Sequence, residues 1–427
     1  LILAACSGGD DGGGQSSGGA AAGTTIPQET VRFGFFPCCP DQNFAFVAMR
    51  KGFFKDAGIT IAPGPEGHHL TDPQQGTPAM QRGDFDILEN FIQGYLQTLN
   101  TFGQDIPPIM FHDIFLGISI LKDPANPAKT VQDFLDEGKP FGEAARLAVE
   151  QLRGQEIHTP AFGTVQPQQP VVYLSYADMD YKDVKLTFVD DTKIVELATQ
   201  PGRLKYAIPL GAGIIVQLIR NGWKPLIDTN IILKNDPDSK QANDLTQLVG
   251  SSGLIAQRKF IESKHDTVLR FLSVWWRTVD YIMDPANKAD LKIVADTVNA
   301  SQGLKLNADD IAGVYEVVDP LFPWDQQGPQ LWDDPKAPYY VKRSLQSQIQ
   351  SLIDNGTLPK QEYDIERFLV AEDLFQEMKG LRAEADTLFE ATADASGDKK
   401  ALVDQARKYY EWHNYLDAVR FLKAAQA

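Results

Sequence analysis

Two adjacent cysteines, Cys38 and Cys39, stand between prolines directly after the alternating stretch Val31-Arg32-Phe33-Gly34-Phe35. Such a pair can form a vicinal disulfide, or two thiols making an apolar floor under a bound molecule; two small buried residues after a strand is the plainer alternative. Farther on, Glu89, Asn90 and Gln93 follow the short run Phe85-Asp86-Ile87-Leu88, and His112 and Asp113 precede a long apolar run. Phe162, Thr164 and Gln166 come next, then Leu210, Gly211 and Gly213. With Phe36, Gln42 and Asn43 added, the set holds acids, amides, a hydroxyl and aromatic rings but neither lysine nor arginine. That chemistry suits a neutral or cationic nitrogen compound such as an aminopyrimidine-like ring, with Glu89 or Asp113 accepting from its N–H groups and Phe36 stacking on it. A bound oxyanion usually wants a cation, although backbone N–H groups at the helix start near Asp41 offer another way to hold an anion. Glu66, His68 and His69 invite a metal reading, but adjacent histidines in a Pro/Gly loop lack the spacing of a preformed site. No metal, cofactor or catalytic residue is expected.

These residues become neighbours only if regular elements carry them to one edge. Pro37-Cys38-Cys39-Pro40 breaks the first strand. A helix capped by Asp41 should then run over 42–55, with Phe44, Val47, Ala48 and Phe54 at helical spacing. Gly58 ends it before the extended Ile59-Thr60-Ile61. A second unit closes a helix at Gly83 before a strand at 85–88, and a related pattern places a helix at 194–199, a stop at Gly202 and a strand at Tyr206-Ala207-Ile208-Pro209. Strands alternating with helices predict mostly parallel sheets, whose ligands sit beyond the C-terminal strand ends. This rule selects the loops named above. The apolar run 114–121 reads as a crossing between two halves, with a return near 226–233. The region after Ser251 is helical; its Trp275 and Trp276, with Phe322, Trp324, Trp332 and Tyr339, read as packing.

The chain of 427 residues exceeds what one core organises, so two lobes are expected. Its 40 basic against 57 acidic residues give a formal charge of -17, which opposes binding to nucleic acid or anionic lipid surfaces. No apolar run is long enough to span a bilayer as a mature helix. Leu3-Ala4-Ala5-Cys6 resembles the lipobox of bacterial lipoproteins, in which the cysteine carries a diacylglycerol, and 7–25 is a Gly/Ser/Ala-rich tether too polar to fold. Lipidation is therefore expected at Cys6.

Val31-Arg32-Phe33-Gly34-Phe35-Phe36-Pro37, then Gly52-Phe53-Phe54-Lys55-Asp56-Ala57-Gly58-Ile59, resembles the opening of the type II periplasmic binding proteins of the nitrate, sulfonate, taurine and thiamine-pyrimidine branch. Gly83-Asp84-Phe85-Asp86-Ile87, Thr130-Val131-Gln132-Asp133-Phe134 and Gly253-Leu254-Ile255-Ala256 are similar to later steps of that family, so the resemblance covers roughly 31–355. It implies an α/β, two-lobed clamp, each lobe a mostly parallel sheet flanked by helices, with a C-terminal helical extension. The expected plan is signal-peptide remnant and lipobox 1–6, tether 7–30, first lobe 31–118, second lobe 119–227, return to the first lobe 228–359 and extension 360–427. The implied function is solute capture for an ABC importer, outside the cytoplasm, by a monomer held to the membrane through lipid on Cys6. The implied partners are a small-molecule ligand and a permease with its ATPase. Two alternatives share the fold: an enzyme like the fungal thiamine-pyrimidine synthases, and a ligand sensor for a signalling partner.

Overall fold

The computed structural model describes residues 24–36, 39–64, 66–70, 75–102, 105–160, 168–200, 202–237, 250–354 and 356–427. Cys6, the tether up to residue 23, Cys38, Phe162, Thr164 and Gln166 lie outside the described residues, as does the side chain of Gln93.

Two sheets organise the chain. The first runs β2 (Ile59–Ala62), β1 (Glu29–Phe35), β4 (Ile87–Phe91), β11 (Ser252–Ala256), β5 (Pro108–Phe111), with the two-residue β3 (His68–His69) also on β1. The second runs β10 (Lys224–Asp228), β6 (Ser119–Lys122), β9 (Tyr206–Ala207), β7 (Glu156–Thr159), β8 (Lys185–Phe188). Strand β1 is parallel to β2, β3 and β4, and β7 is parallel to β8 and β9. The reversed strands are β11, antiparallel to β4 and β5, and β6, antiparallel to β9 and β10. Each is the strand that arrives from the other sheet, so the two crossings explain both reversals. Residues 226–233, where the return is expected, comprise the end of β10 and the start of the helix Thr229–Asn235.

The opening unit shows how local sequence positions the site. The expected single helix over 42–55 is three short ones, Pro40–Asn43, Ala45–Lys51 and Phe53–Asp56. Gly52, at φ +78°, caps the middle helix in the left-handed region, which an L side chain adopts only at a cost. Asp41 does not cap: Cys39 holds that position, and Asp41 sits inside the first turn with its side chain buried. Asp86 clamps the next step, its carboxylate accepting from the Arg32 backbone N–H at 2.8 Å and from the Arg32 guanidinium. The His68-His69 segment is a strand edge and not a plain loop, the His69 ring packing on Phe35 and Phe46.

Three extended passages meet between the sheets. Ile114 and Leu116 donate backbone N–H bonds to Pro320 and Val318, Phe115 exchanges a bond pair with Gly250, and Phe322 donates to His112. A second contact joins the lobes away from this junction: the Arg220 guanidinium pairs with Asp310 and Gln217 accepts from the Lys305 N–H. The C-terminal helices Val370–Ala391, Gly397–Glu411 and Tyr415–Gln426 dock on His265–Met283 through Arg270, whose guanidinium donates twice to Asp417 at 2.7 and 2.8 Å with both groups buried. Among the described residues no helix is long and apolar enough to cross a membrane.

Candidate functional site

Strands β1, β4 and β5 end at one edge of the first sheet, and residues within or beyond those ends converge there. Asp41, Glu89, His112 and Asp113 are all buried, and Asp319 joins them from the passage that pairs with residue 114. Ser252, the first residue of β11, holds two of the acids: its N–H donates to Asp113 Oδ1 at 2.5 Å and its hydroxyl to Asp41 Oδ2 at 2.8 Å. One carboxylate oxygen from each of Asp41, Asp113 and Asp319 lies within 4.8 Å of the others. Tyr315, on the π-helical turn Val314–Val318, donates its hydroxyl to Pro40 O at 2.7 Å and so ties the start of the first helix to the segment carrying Asp319.

His112 faces the same cluster. Trp275 Nε1–H donates to His112 Nδ1 at 3.2 Å, which places the imidazole proton on Nε2. That nitrogen lies 3.4 Å from Asp113 Oδ2 and 3.5 Å from Glu89 Oε1. Burial pushes the imidazole down to about 3, so it is neutral at pH 7. The three aspartates shift the other way. Burial raises each above the usual carboxylate range; the charge of Asp41 raises Asp113 further, and Asp41 and Asp113 together raise Asp319. Among the described residues no lysine or arginine pairs with the three. Each buried carboxylate costs several kcal/mol, on the order of the penalty for any desolvated ion, so the cluster needs protons or a cation. Chemically it can accept hydrogen bonds from N–H groups or bind positive charge.

The second sheet presents a different arrangement at its own strand ends. Asp191, three residues beyond β8, accepts from the backbone N–H of Gly211 at 2.7 Å and of Leu210 at 3.2 Å. Gly211 begins the nine-residue helix Ala212–Arg220. An internal carboxylate thus takes the N–H groups of Leu210 and of the N-cap Gly211, beside the helix start where an external anion would otherwise sit.

Of the residues singled out in the sequence, Glu89 and Asp113 meet directly around His112. Asn43 is fully buried one turn beyond Cys39, donating to its carbonyl at 2.8 Å, and Gln42 is buried beside it. Asn90 pairs with Gly253 in the sheet. Phe36 is buried, its ring tip beside Gly76. Leu210 and Gly211 belong to the second sheet's edge and enter through their backbone. Sequence reasoning missed Asp319, Ser252, Tyr315 and Asp191 altogether, took Asp41 for a cap, and left Trp275 as packing. An aspartate inside the apolar run 314–322 is the one signal that would have flagged Asp319.

No protein-family model and no curated protein matches the chain. Solved structures do. The periplasmic aliphatic sulphonate-binding protein SsuA of Escherichia coli matches with a TM-score of 0.54 at 14% identity, over 80% of this chain and 92% of that one. The alkanesulfonate-binding SsuA of Xanthomonas axonopodis pv. citri, bound to MOPS, matches with a TM-score of 0.50 at 12% identity, over 81% and 98%. A variant of DszB in complex with biphenyl-2-sulfinic acid, from a desulfurization enzyme, matches with a TM-score of 0.51 at 14% identity, over 82% and 99%. Likeness at this identity carries architecture, and the architecture is the one the opening motif resembles: the chain has the two-lobed α/β fold of the type II periplasmic binding proteins.

Proposed function

We propose that the chain is the extracytoplasmic solute-binding component of an ABC importer, a monomer held to the membrane by lipid on Cys6, which delivers a small nitrogen-containing molecule to a permease and its ATPase. The observation that carries this reading is the contrast between the two strand-end edges. The first lobe brings Glu89, Asp113 and the amides Gln42, Asn43 and Asn90 to its edge, with no basic side chain among them. On the second lobe the Asp191 carboxylate occupies the N–H groups of Leu210 and Gly211, just ahead of the helix Ala212–Arg220. Both edges disfavour an oxyanion and favour a donor-rich or cationic ligand. Two lobes joined by extended passages suit capture by closure, where moving a clamp from 1:99 to 99:1 closed needs about 5.5 kcal/mol of preference for the closed form.

A thermal-shift screen of the purified chain against aminopyrimidines, polyamines, sulfonates and nitrate tests this. A member of the first two classes at 100 times its dissociation constant adds about 2.7 kcal/mol of stability. A shift confined to sulfonates or nitrate refutes the ligand class.

A further inference from the structure

We propose that Asp41, Asp113 and Asp319 form a binding site for a hard divalent cation of the Ca2+, Mg2+ and Mn2+ class, set where the two lobes join. The site shares Asp113 with the solute edge described above and is therefore tested with no solute present.

Geometry is the first argument. Metal–oxygen distances of about 2.0–2.6 Å let one ion bridge ligand oxygens up to about 5 Å apart. The three aspartates offer one oxygen each within 4.8 Å of one another. Ser252 orients two of them by taking Asp113 Oδ1 and Asp41 Oδ2, while Asp113 Oδ2 and Asp319 Oδ1 are buried without a hydrogen-bond partner. All three residues are at most 6% exposed.

A second observation comes from outside the acids. His112 Nε2 is fully buried and faces Asp113 from 3.4 Å and Glu89 from 3.5 Å, with no well-aligned hydrogen bond to either carboxylate. Because Nδ1 accepts from Trp275, Nε2 carries a hydrogen and is a donor directed into the cluster. A water in the coordination sphere of a bound ion would satisfy it, and buried polar groups without any partner are rare.

The donor set decides the class of ion. It is carboxylate oxygen, with the imidazole committed as a donor and no thiolate in the group, which suits hard cations over zinc or copper. Such an ion also answers the charge problem, since it compensates acids that no lysine or arginine reaches among the described residues. It would bind the first helical turn, through Asp41, to the two junction passages that carry Asp113 and Asp319.

The test uses the full chain, stripped with EDTA and moved into chelator-free buffer at pH 7 with no solute present. Calorimetric titrations with CaCl2, MgCl2, MnCl2 and ZnCl2 should show one equivalent of at least one of the first three, bound more tightly than zinc. Tb3+, a Ca2+ analogue, should luminesce on excitation of Trp275 and Tyr315 in the unsubstituted protein. Asp319→Asn should lower the affinity at least tenfold, and Glu362→Gln, at an exposed acid, should leave it unchanged. Absence of binding by all three hard cations, tighter binding of zinc, silent Tb3+, or wild-type affinity in a folded Asp319→Asn overturns the assignment. Because solute is absent throughout, its failure is separate from failure of the transport reading.

Discussion

A carboxylate that accepts two backbone N–H bonds is normally held low, yet Asp191 is pushed up to about 6 because burial outweighs those bonds. Its ordinary value in the unfolded chain is 3.8, so between roughly pH 4 and 6 the folded protein binds the extra proton. Stability contributed by this group is present in acid and is lost as pH rises through about 6. Asp191→Asn removes that dependence. Urea denaturation at pH 4 and pH 7 should show the variant gaining on the wild type by roughly 2 kcal/mol over that interval; parallel behaviour of the two proteins would show that Asp191 is not the titrating group. Nothing in the local sequence marks Asp191, because the amides it meets lie nineteen and twenty positions later.

At the scale of elements, β11 is the strand on which the first sheet depends. It lies between β4 and β5, and a Cβ on Gly253 would fall 2.1 Å from Met110 O. Gly253→Ala must therefore part β11 from β5, and a loss of more than about 3 kcal/mol in urea melts is expected, as for other severe backbone clashes. A melt like that of the wild type would mean that the strand pairing is looser than described. Docking of the C-terminal helices rests on a different contact. Arg270→Ala takes two bonds from the buried Asp417 carboxylate and leaves it Asn414 and a longer contact with Arg420, so a cost at or below the low end of the about 3–5 kcal/mol for a broken buried pair is expected. Limited proteolysis should then cut within 370–427 while the two sheets persist; resistance equal to the wild type would show that apolar packing alone holds those helices. Much of this layout was legible beforehand: the period-2 pattern at 31–35, the Gly83 stop and the strand at Tyr206 all mark real elements. The helix over 42–55 was misread because apolar spacing passes smoothly through Gly52, where the backbone actually turns left-handed.

At the scale of the molecule, the candidate site was half legible. Glu89 and Asp113 follow from the rule that strand ends gather ligand groups, since both stand at the close of an apolar run. Asp41 and Asp319 do not, for they are brought together only by the junction of residues 113–116 with 318–321 and by Tyr315 reaching Pro40. Long-range pairing of this kind leaves no local pattern. The contrast between an acidic first edge and a second edge where Asp191 takes the Leu210 and Gly211 N–H groups exists only once both sheets are assembled, and the proposed ligand class rests on it.

Fold alone leaves two activities open, since SsuA and DszB share it. The most direct measurement is a calorimetric titration of the purified full chain with the aminopyrimidine and polyamine panel, followed by mass spectrometry of the recovered ligand. A binding protein of the proposed kind takes up one equivalent and returns it chemically unchanged. Conversion of the ligand, or uptake restricted to sulfonates and nitrate, would contradict the account.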